Sequence, residues 1–277
     1  MPIQHFNPAV RRLFGRARCG VALAGFVLLA FAVTAAAQQS VPYASDLETT
    51  AAGPVRIVPI QHASVMLEWQ GKVIYVDPVG VPYFKGMPKA DLVLITHDHS
   101  DHMDPKTIAL IQGPRTIFVV PPVVKKTVTD AQVVMTNGES HTVELGGVQI
   151  PIEAVPMYNM VRKRPDGEYF HPKGQGNGYI LTLGGKRIYF SGDTECTPEV
   201  KALRNIDVAF LCMNLPYTMP VSEAAACVKE FRPKVVYPYH YRGQNTETFA
   251  ADLKGVPGVE VRLRNFYQPP PGESAAK

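Results

Sequence analysis

The chain has 277 residues, of which 46% are hydrophobic and 19% charged, so it has enough apolar material for one large globular domain or two small ones. Its net charge of +4 comes from Arg11, Arg12, Arg16 and Arg18, because residues 1–37 contain no Lys, Asp or Glu. Without these four, the chain has 24 basic and 24 acidic residues. Its charge therefore gives no reason to expect nucleic-acid binding.

Residues 1–37 have the pattern of a cleavable export signal. Arginines precede an apolar run from Gly20 to Val33, and three alanines before Gln38 suit cleavage. The run of about 14 residues is short for a bilayer span, so we expect membrane contact only if the signal stays uncleaved. The Arg11-Arg12 pair resembles a twin-arginine signal, and general secretion is the alternative. We therefore predict an exported, periplasmic protein.

Residues 38–53 are rich in Ala, Ser and Thr without periodicity, and we predict a flexible tether there. A single folded domain is expected over 54–268, followed by a loose, Pro-rich tail over 269–277. The first predicted elements are three short strands over 55–60, 63–69 and 72–76, which end at Asp77-Pro78.

The most informative stretch follows the apolar run 91–95, which predicts a buried strand. It places His97, His99, Asp101 and His102 at the end of that strand, and His97 and His99 share one face of an extended backbone. Imidazoles and carboxylates together suit zinc and similar divalent metals. A polar loop without metal is the less favoured alternative, because unpartnered polar groups beside a buried strand are costly.

The motif His97-x-His99-x-Asp101-His102 resembles the metal-binding signature of the metallo-β-lactamase superfamily of hydrolases, and the resemblance extends over residues 55–266. It implies that Asp77 orients a ligand imidazole, with a simple turn residue before Pro78 as the alternative. His62 either faces the site or packs in the core, and we expect packing. Asp104 is expected to cap a helix over 105–111.

The next segment departs from the family pattern. Many members place a third histidine of the first metal site after the strand predicted here over 148–155, where this chain has Tyr158 and Asn159. His171, in a Gly/Pro-rich loop, is predicted to be that ligand instead. Otherwise the first site would have only two imidazoles and a water. Arg162, Lys163 and Arg164 either meet an anionic substrate or form a solvated charge run.

The second half of the chain supplies the remaining candidates. The resemblance implies that Asp193, after a strand over 186–191, bridges two metal ions, and that His240, after a strand over 234–239, completes the second site with Asp101 and His102. Tyr217 follows a strand over 206–213 and either donates a hydrogen bond to a developing oxyanion or packs as an aromatic residue. Cys196, Cys212 and Cys227 form no CxxC pair, so we expect buried free thiols, with one disulfide as the alternative.

Two similar halves, one on each side of residue 145, predict an α+β fold, a four-layer αβ/βα sandwich of the metallo-β-lactamase type with the site at the shared edge. The predicted cofactors are two divalent ions, Zn²⁺ first and Mn²⁺ or Fe²⁺ as alternatives. No Ser-His-Asp or reactive-Cys arrangement is visible. We therefore predict a dinuclear hydrolase that uses a metal-bound hydroxide on a phosphodiester, lactone or amide.

The predicted substrate is a small molecule. The chain looks similar to the phosphodiesterase and lactonase branches, which include ascorbate-6-phosphate lactonase and N-acyl-phosphatidylethanolamine phospholipase D. Two alternatives remain open: a catalytically silent metal-binding protein of the same fold, and a di-iron redox protein. Sequence patterns alone do not set the oligomeric state.

Overall fold

The structure is a computed structural model that describes residues 41–273. The predicted export signal, residues 1–37, lies outside the described residues, as do the first part of the predicted tether and the end of the predicted tail. Within the described range, every helix is too short or too polar to cross a membrane.

The first sheet contains seven strands that lie side by side in chain order. Its first four strands pair antiparallel and the others parallel. The strands are β1 (Asp46–Glu48), β2 (Val55–Gln61), β3 (Ser64–Trp69), β4 (Lys72–Val76), β5 (Ala90–Leu94), β6 (Gln112–Val120) and β7 (Val133–Val134).

The second sheet repeats this plan: it also has seven strands in chain order, with antiparallel pairing first and parallel pairing afterwards. Its last strand has only two residues. The strands are β8 (Ser140–Leu145), β9 (Val148–Met157), β10 (Gly176–Leu183), β11 (Lys186–Phe190), β12 (Val208–Cys212), β13 (Val235–Tyr239) and β14 (Glu260–Val261).

The helices are short and fill the connections between parallel strands. Asp104 caps its helix as expected, because its carboxylate accepts a hydrogen bond from the backbone N–H of Lys106 (3.0 Å). The helices are α1 (Val81–Phe84), α2 (Pro105–Ile111), α3 (Pro122–Lys125), α4 (Pro198–Lys201), α5 (Val221–Phe231) and α6 (Thr246–Leu253).

The layers follow from the alternation of side chains along each strand. In β5, Leu92 and Leu94 belong to the core between the two sheets, whereas Val93 and Ile95 belong to the core that also contains residues of α2 and α3. Apolar side chains of α5 and α6 pack on the second sheet. The predicted α+β, four-layer αβ/βα sandwich is therefore confirmed.

The predicted flexible tether is wrong for its described part, residues 41–53. Tyr43 is buried, and β1 pairs with β2 at the edge of the first sheet. The carboxylate of Asp46 accepts hydrogen bonds from Arg264 (3.0 Å) and from the hydroxyl of Tyr237 (2.8 Å). A strand of three residues is too short to show periodicity, which is why the sequence did not reveal it.

The expectation of free thiols is wrong for two of the three cysteines considered. Cys196 and Cys227 form a disulfide, whereas Cys212 is a buried free thiol, as expected. The disulfide links the segment before α4 to α5. The two cysteines are 31 positions apart, so only the packing of α5 against that segment brings them together.

Candidate metal centre

The candidate centre lies where the two sheets meet, at the ends of β5, β11 and β13. The backbone N–H of Asn177 in β10 donates to the carbonyl of Thr96 (2.9 Å), which joins the sheets beside His97. Glycine suits this approach. A Cβ atom on Gly176 would lie 3.1 Å from the carbonyl oxygen of Thr96, and Gly192 has a φ of +59°, a backbone conformation that residues with a Cβ atom rarely adopt.

The first group of candidate ligands consists of His97, His99 and His171. One ring nitrogen of each lies within 4.8 Å of the corresponding nitrogens of the other two. The ring centroid of His171 lies 5.2 Å from that of His97 and 4.9 Å from that of His99. The loop histidine therefore joins the two histidines that follow β5, in the position expected of a third ligand.

The second group of candidate ligands consists of Asp101, His102, His240 and His62, again with one ligand atom each within 4.8 Å of the others. The expectation that His62 packs away from the site is wrong. Its Nε2 lies 3.0 Å from Oδ2 of Asp101, and its ring centroid lies 3.9 Å from that of His240. His62 has a φ of +50° directly after β2, and this turn of the backbone brings it beside the second group.

Asp193 lies between the two groups. Its Oδ1 is 3.3 Å from Nε2 of both His102 and His240, and its Oδ2 is 3.4 Å from Nε2 of His171. One carboxylate oxygen thus faces each group. This is the arrangement that a bridging ligand requires.

The residues present fit a metal ion. Several ring nitrogens that face one another are buried and have no hydrogen-bond partner, as does Oδ1 of Asp193. Buried polar atoms without partners cost about 1–3 kcal/mol each, and a bound cation would satisfy all of these together. The nitrogens are Nε2 of His97, His102, His171 and His240.

Electrostatics favour the uncharged imidazole that metals bind in the first group, where burial lowers the pKa values of all three histidines. Burial, reinforced by the neighbouring His102, holds the pKa of His97 well below its ordinary value. Burial lowers the pKa of His171 to about 4, although Asp193 opposes the shift. Burial would raise the pKa of Asp193, but His240 and His102 outweigh it and hold that pKa well below the usual range. Neutral His97 and His171 and an ionised Asp193 therefore coexist near neutral pH. Burial would lower the pKa of His102, but the carboxylates of Asp193 and Asp77 outweigh it and hold that pKa well above its ordinary value.

A buried carboxylate orients His102. Asp77 is fully buried, and its Oδ2 accepts a hydrogen bond from Nδ1 of His102 (2.7 Å). Its Oδ1 accepts from the backbone N–H of Thr96 (2.7 Å), whose hydroxyl also lies 3.0 Å from Nδ1 of His97. With Nδ1 occupied in both rings, Nε2 is left to face the centre.

Asn159 accounts for the departure from the family pattern. Its Oδ1 accepts hydrogen bonds from Nδ1 (2.9 Å) and from the backbone N–H (2.7 Å) of His171. Its Nδ2 donates to the carbonyl of Tyr217 (2.9 Å) and to Glu195 (3.2 Å). Asn159 therefore lies beside the centre and fixes the orientation of the histidine that comes from the loop.

The sequence patterns did not identify Glu195 as a residue beside the centre. This fully buried carboxylate accepts hydrogen bonds from the backbone N–H groups of Met160 (3.0 Å), Val161 (3.0 Å) and Arg162 (2.8 Å). Burial would raise its pKa, but these hydrogen bonds and the Arg162 guanidinium lower it. Arg162 also pairs with Glu223, so its charge is used within the fold. The available signal was an acidic residue two positions after Asp193.

A cavity of about 700 Å³ opens over the centre. Tyr217 lines it and is 45% exposed, and its ring meets that of Phe170 edge-on at 5.1 Å between centroids. Arg164 lines it as well, in contrast to Arg162. His141 is exposed at the start of β8 and does not line the cavity.

Comparison with known proteins yields one family. The family model described as the β-lactamase superfamily domain matches residues 56–240 of this chain. A UPF0173 metal-dependent hydrolase of Pyrococcus abyssi is 32% identical over 199 aligned positions, and the match covers 68% of this chain and 84% of the relative.

Two solved structures are similar over most of the chain. A structure from Parabacteroides distasonis, described as that of a metal-dependent hydrolase, shares 40% identity with a TM-score of 0.74 and covers 80% of this chain and 98% of its own. Igni18, a metallo hydrolase from Ignicoccus hospitalis, has a TM-score of 0.62 at 23% identity and covers 79% and 96%. The second likeness concerns the fold alone.

Proposed function

The chain belongs to the metallo-β-lactamase superfamily of metal-dependent hydrolases, and we propose that it works with two divalent ions on a phosphodiester, lactone or amide. Zn²⁺ is the ion proposed, with Mn²⁺ or Fe²⁺ as alternatives. The observation that carries this proposal is the position of Asp193, with one oxygen towards each group of buried, unpartnered ligand atoms. A single mononuclear site would leave one of these groups unsatisfied.

The side chains of this protein divide the work in the proposed reaction. Bound ions would supply a water of lowered pKa and would polarise the bond under attack. His97, His99 and His171 would hold one ion, and Asp101, His102 and His240 the other, with Asp193 shared. Apart from His171, which a loop carries, these ligands lie just after strands that the two sheets hold in place, so little reorganisation is needed.

His62 would fix the orientation of Asp101, and Tyr267 would fix that of His62. Nε2 of His62 lies 3.0 Å from its Oδ2, and the other ring nitrogen of His62 lies 2.7 Å from the hydroxyl of Tyr267. With the proton on Nε2, His62 donates to Asp101 and accepts from Tyr267. We propose that this chain of hydrogen bonds holds the carboxylate towards the second ion.

We also propose that the protein acts outside the cytoplasm, in the periplasm. The signal-like residues 1–37 support export. The disulfide between Cys196 and Cys227 supports it independently, because such bonds persist in oxidising compartments and are rare in the cytosol.

Elemental analysis combined with a substrate panel tests the proposed function. We expect two ions per chain and turnover of at least one phosphodiester, lactone or amide. A chelator should abolish the turnover, and His97→Ala should lower it by about a thousand-fold, on the order of 4 kcal/mol. His141→Ala is the matched control, because it removes an exposed histidine and should change neither result.

Two outcomes would contradict the proposal. The first is a protein that holds two ions but is as inactive as His97→Ala on every substrate class, which would favour a silent metal-binding protein. The second is two bound irons with visible absorbance and no hydrolysis, which would favour a redox protein.

A further inference from the structure

Two guanidinium groups line the cavity over the centre without a carboxylate partner. Arg164 and Arg242 are both exposed, and neither forms an ion pair within residues 41–273. Arg164 donates to the carbonyl of Phe170 (3.1 Å), and Arg242 lies 5.7 Å from the ring centroid of Tyr267. These contacts use a small part of the donor capacity of each group, since a guanidinium carries five N–H donors.

The carboxylates that line the same cavity do not balance these charges. They are Asp101 and Asp193, and both face the histidines of the metal centre. Cationic groups in a cleft raise the local potential and concentrate anions. The planar fork of arginine also matches the oxygens of a phosphate or carboxylate group. A neutral substrate would gain nothing from either property.

Part of the cavity lining is apolar. Leu215 is 43% exposed and lines the cavity together with Tyr217 and Phe170. On the neighbouring loop, Met160 is 37% and Val161 74% exposed, and that loop is joined to Tyr217 through Asn159. Exposed apolar side chains gathered beside a site are typical of a binding surface.

We propose that the substrate is an amphiphilic anion, and specifically a phosphodiester with one apolar alcohol. This inference rests on the proposed function. Arg164 and Arg242 would bind the charged oxygens, and Phe170, Leu215 and Tyr217 would contact the apolar alcohol. A phosphodiester carries its negative charge on the group that reacts, so the arginines and the metal centre would act on the same phosphate.

The reaction that this substrate implies is a simple hydrolysis. The oxygen of one water molecule forms a bond to phosphorus, and the bond from phosphorus to the apolar alcohol's oxygen breaks. One proton of the water leaves with the alcohol, and the other goes to the phosphate monoester or to solvent. No oxidant, reductant or further reactant is needed.

Binding of a non-reacting analogue tests the inference without turnover. Phenylphosphonate is titrated calorimetrically into metal-loaded wild type, Arg164→Gln and Arg242→Gln. The control is Arg115→Gln, whose exposed arginine lies near the start of β6, at the opposite end of the strands from the metal centre. Each cavity substitution should weaken binding about 10- to 100-fold, the range of a charge-assisted hydrogen bond. The control should bind like wild type, and methylphosphonate should bind wild type more weakly than phenylphosphonate. Binding that is unchanged in both cavity variants would overturn the inference.

Kinetics then identify the anion. Bis(p-nitrophenyl) phosphate is compared with p-nitrophenyl butyrate, a neutral ester, and with mono-p-nitrophenyl succinate, which carries a carboxylate. The two cavity substitutions should lower kcat/KM about 10- to 100-fold on the phosphodiester and leave the butyrate within about three-fold. A loss confined to the succinate, or an equal loss on all three, would overturn the phosphodiester assignment. Arginine-dependent phosphonate binding without any turnover would instead contradict the proposed function.

Discussion

The two groups of candidate ligands are supported in different ways. In the second group, His62 and His240 lie directly after strands, and His102 is held by the fully buried Asp77. His62, Asp77 and His240 all have φ values between +45° and +50°, a conformation that costs energy for residues other than glycine and that the surrounding strands must enforce.

The first group depends instead on a loop. His171 has no strand beneath it, and its position follows from hydrogen bonds to Asn159, which in turn contacts Glu195. The disulfide begins at the next residue, Cys196. The comparison shows that strands position ligands through the backbone, whereas a loop ligand needs a chain of buried polar contacts.

The bridging residue should be the one whose change affects both groups. Asp193→Asn removes the negative charge between them, so both ions should be lost and hydrolysis should fall by at least about a thousand-fold. Elemental analysis and kinetics measure this, with the exposed Asp252→Asn as the matched control. If Asp193→Asn retained both ions, Asp193 would not be the ligand that the two groups share.

A change beneath the second group should weaken one ion more than the other. Asp77→Asn replaces an acceptor that faces Nδ1 of His102, and loss of such a partner lowers metal affinity about 10- to 100-fold. Competition with a chromophoric chelator should resolve one weakened ion and one that is less affected. Equal weakening of both ions would show that the groups are not independently supported.

The corresponding change in the first group should be milder. Asn159→Ala removes the acceptor for His171, but the backbone N–H of Asn159 still donates to the carbonyl of His171 (2.9 Å). We expect the affinity for the ion held by the first group to fall about ten-fold, the lower end of the usual range. In Asp77→Asn, by contrast, the ion held by the second group should be the one weakened. In the double variant Asp77→Asn/Asn159→Ala, the same competition experiment should show weaker binding of both ions. Unchanged affinity for the ion held by the first group would contradict the role given to Asn159.

Loss of the disulfide should affect stability more than the site. Replacing Cys196 and Cys227 together by serine should lower the free energy of unfolding by about 3–4 kcal/mol, as expected for a closed loop of this length. Metal affinity should change by no more than about two-fold. Denaturant unfolding and chelator competition measure the two effects, and a large loss of affinity with little loss of stability would reverse this ranking.

The sequence predicted the parts of the centre that strands carry. His97 to His102, Asp193 and His240 each follow an apolar run that predicts a buried strand, and the resemblance to the metallo-β-lactamase superfamily implied the roles of Asp193 and His240. The four-layer fold could be predicted from the same runs, because the two halves of the chain repeat one pattern.

The parts that the sequence did not predict depend on long-range contacts. The inward position of His62 depends on a single backbone angle, and the disulfide on the packing of α5. Asn159 resembles an absent ligand when seen alone, and its role is clear only beside His171 and Glu195. No local pattern encodes contacts between residues so far apart in the chain.

Anomalous diffraction from crystals of the metal-loaded protein tests the central claim most directly, because it locates each ion. The account predicts two anomalous peaks, one among His97, His99 and His171 and one among Asp101, His102 and His240, with Asp193 adjacent to both. A single peak, or two peaks of which neither lies beside Asp193, would contradict it.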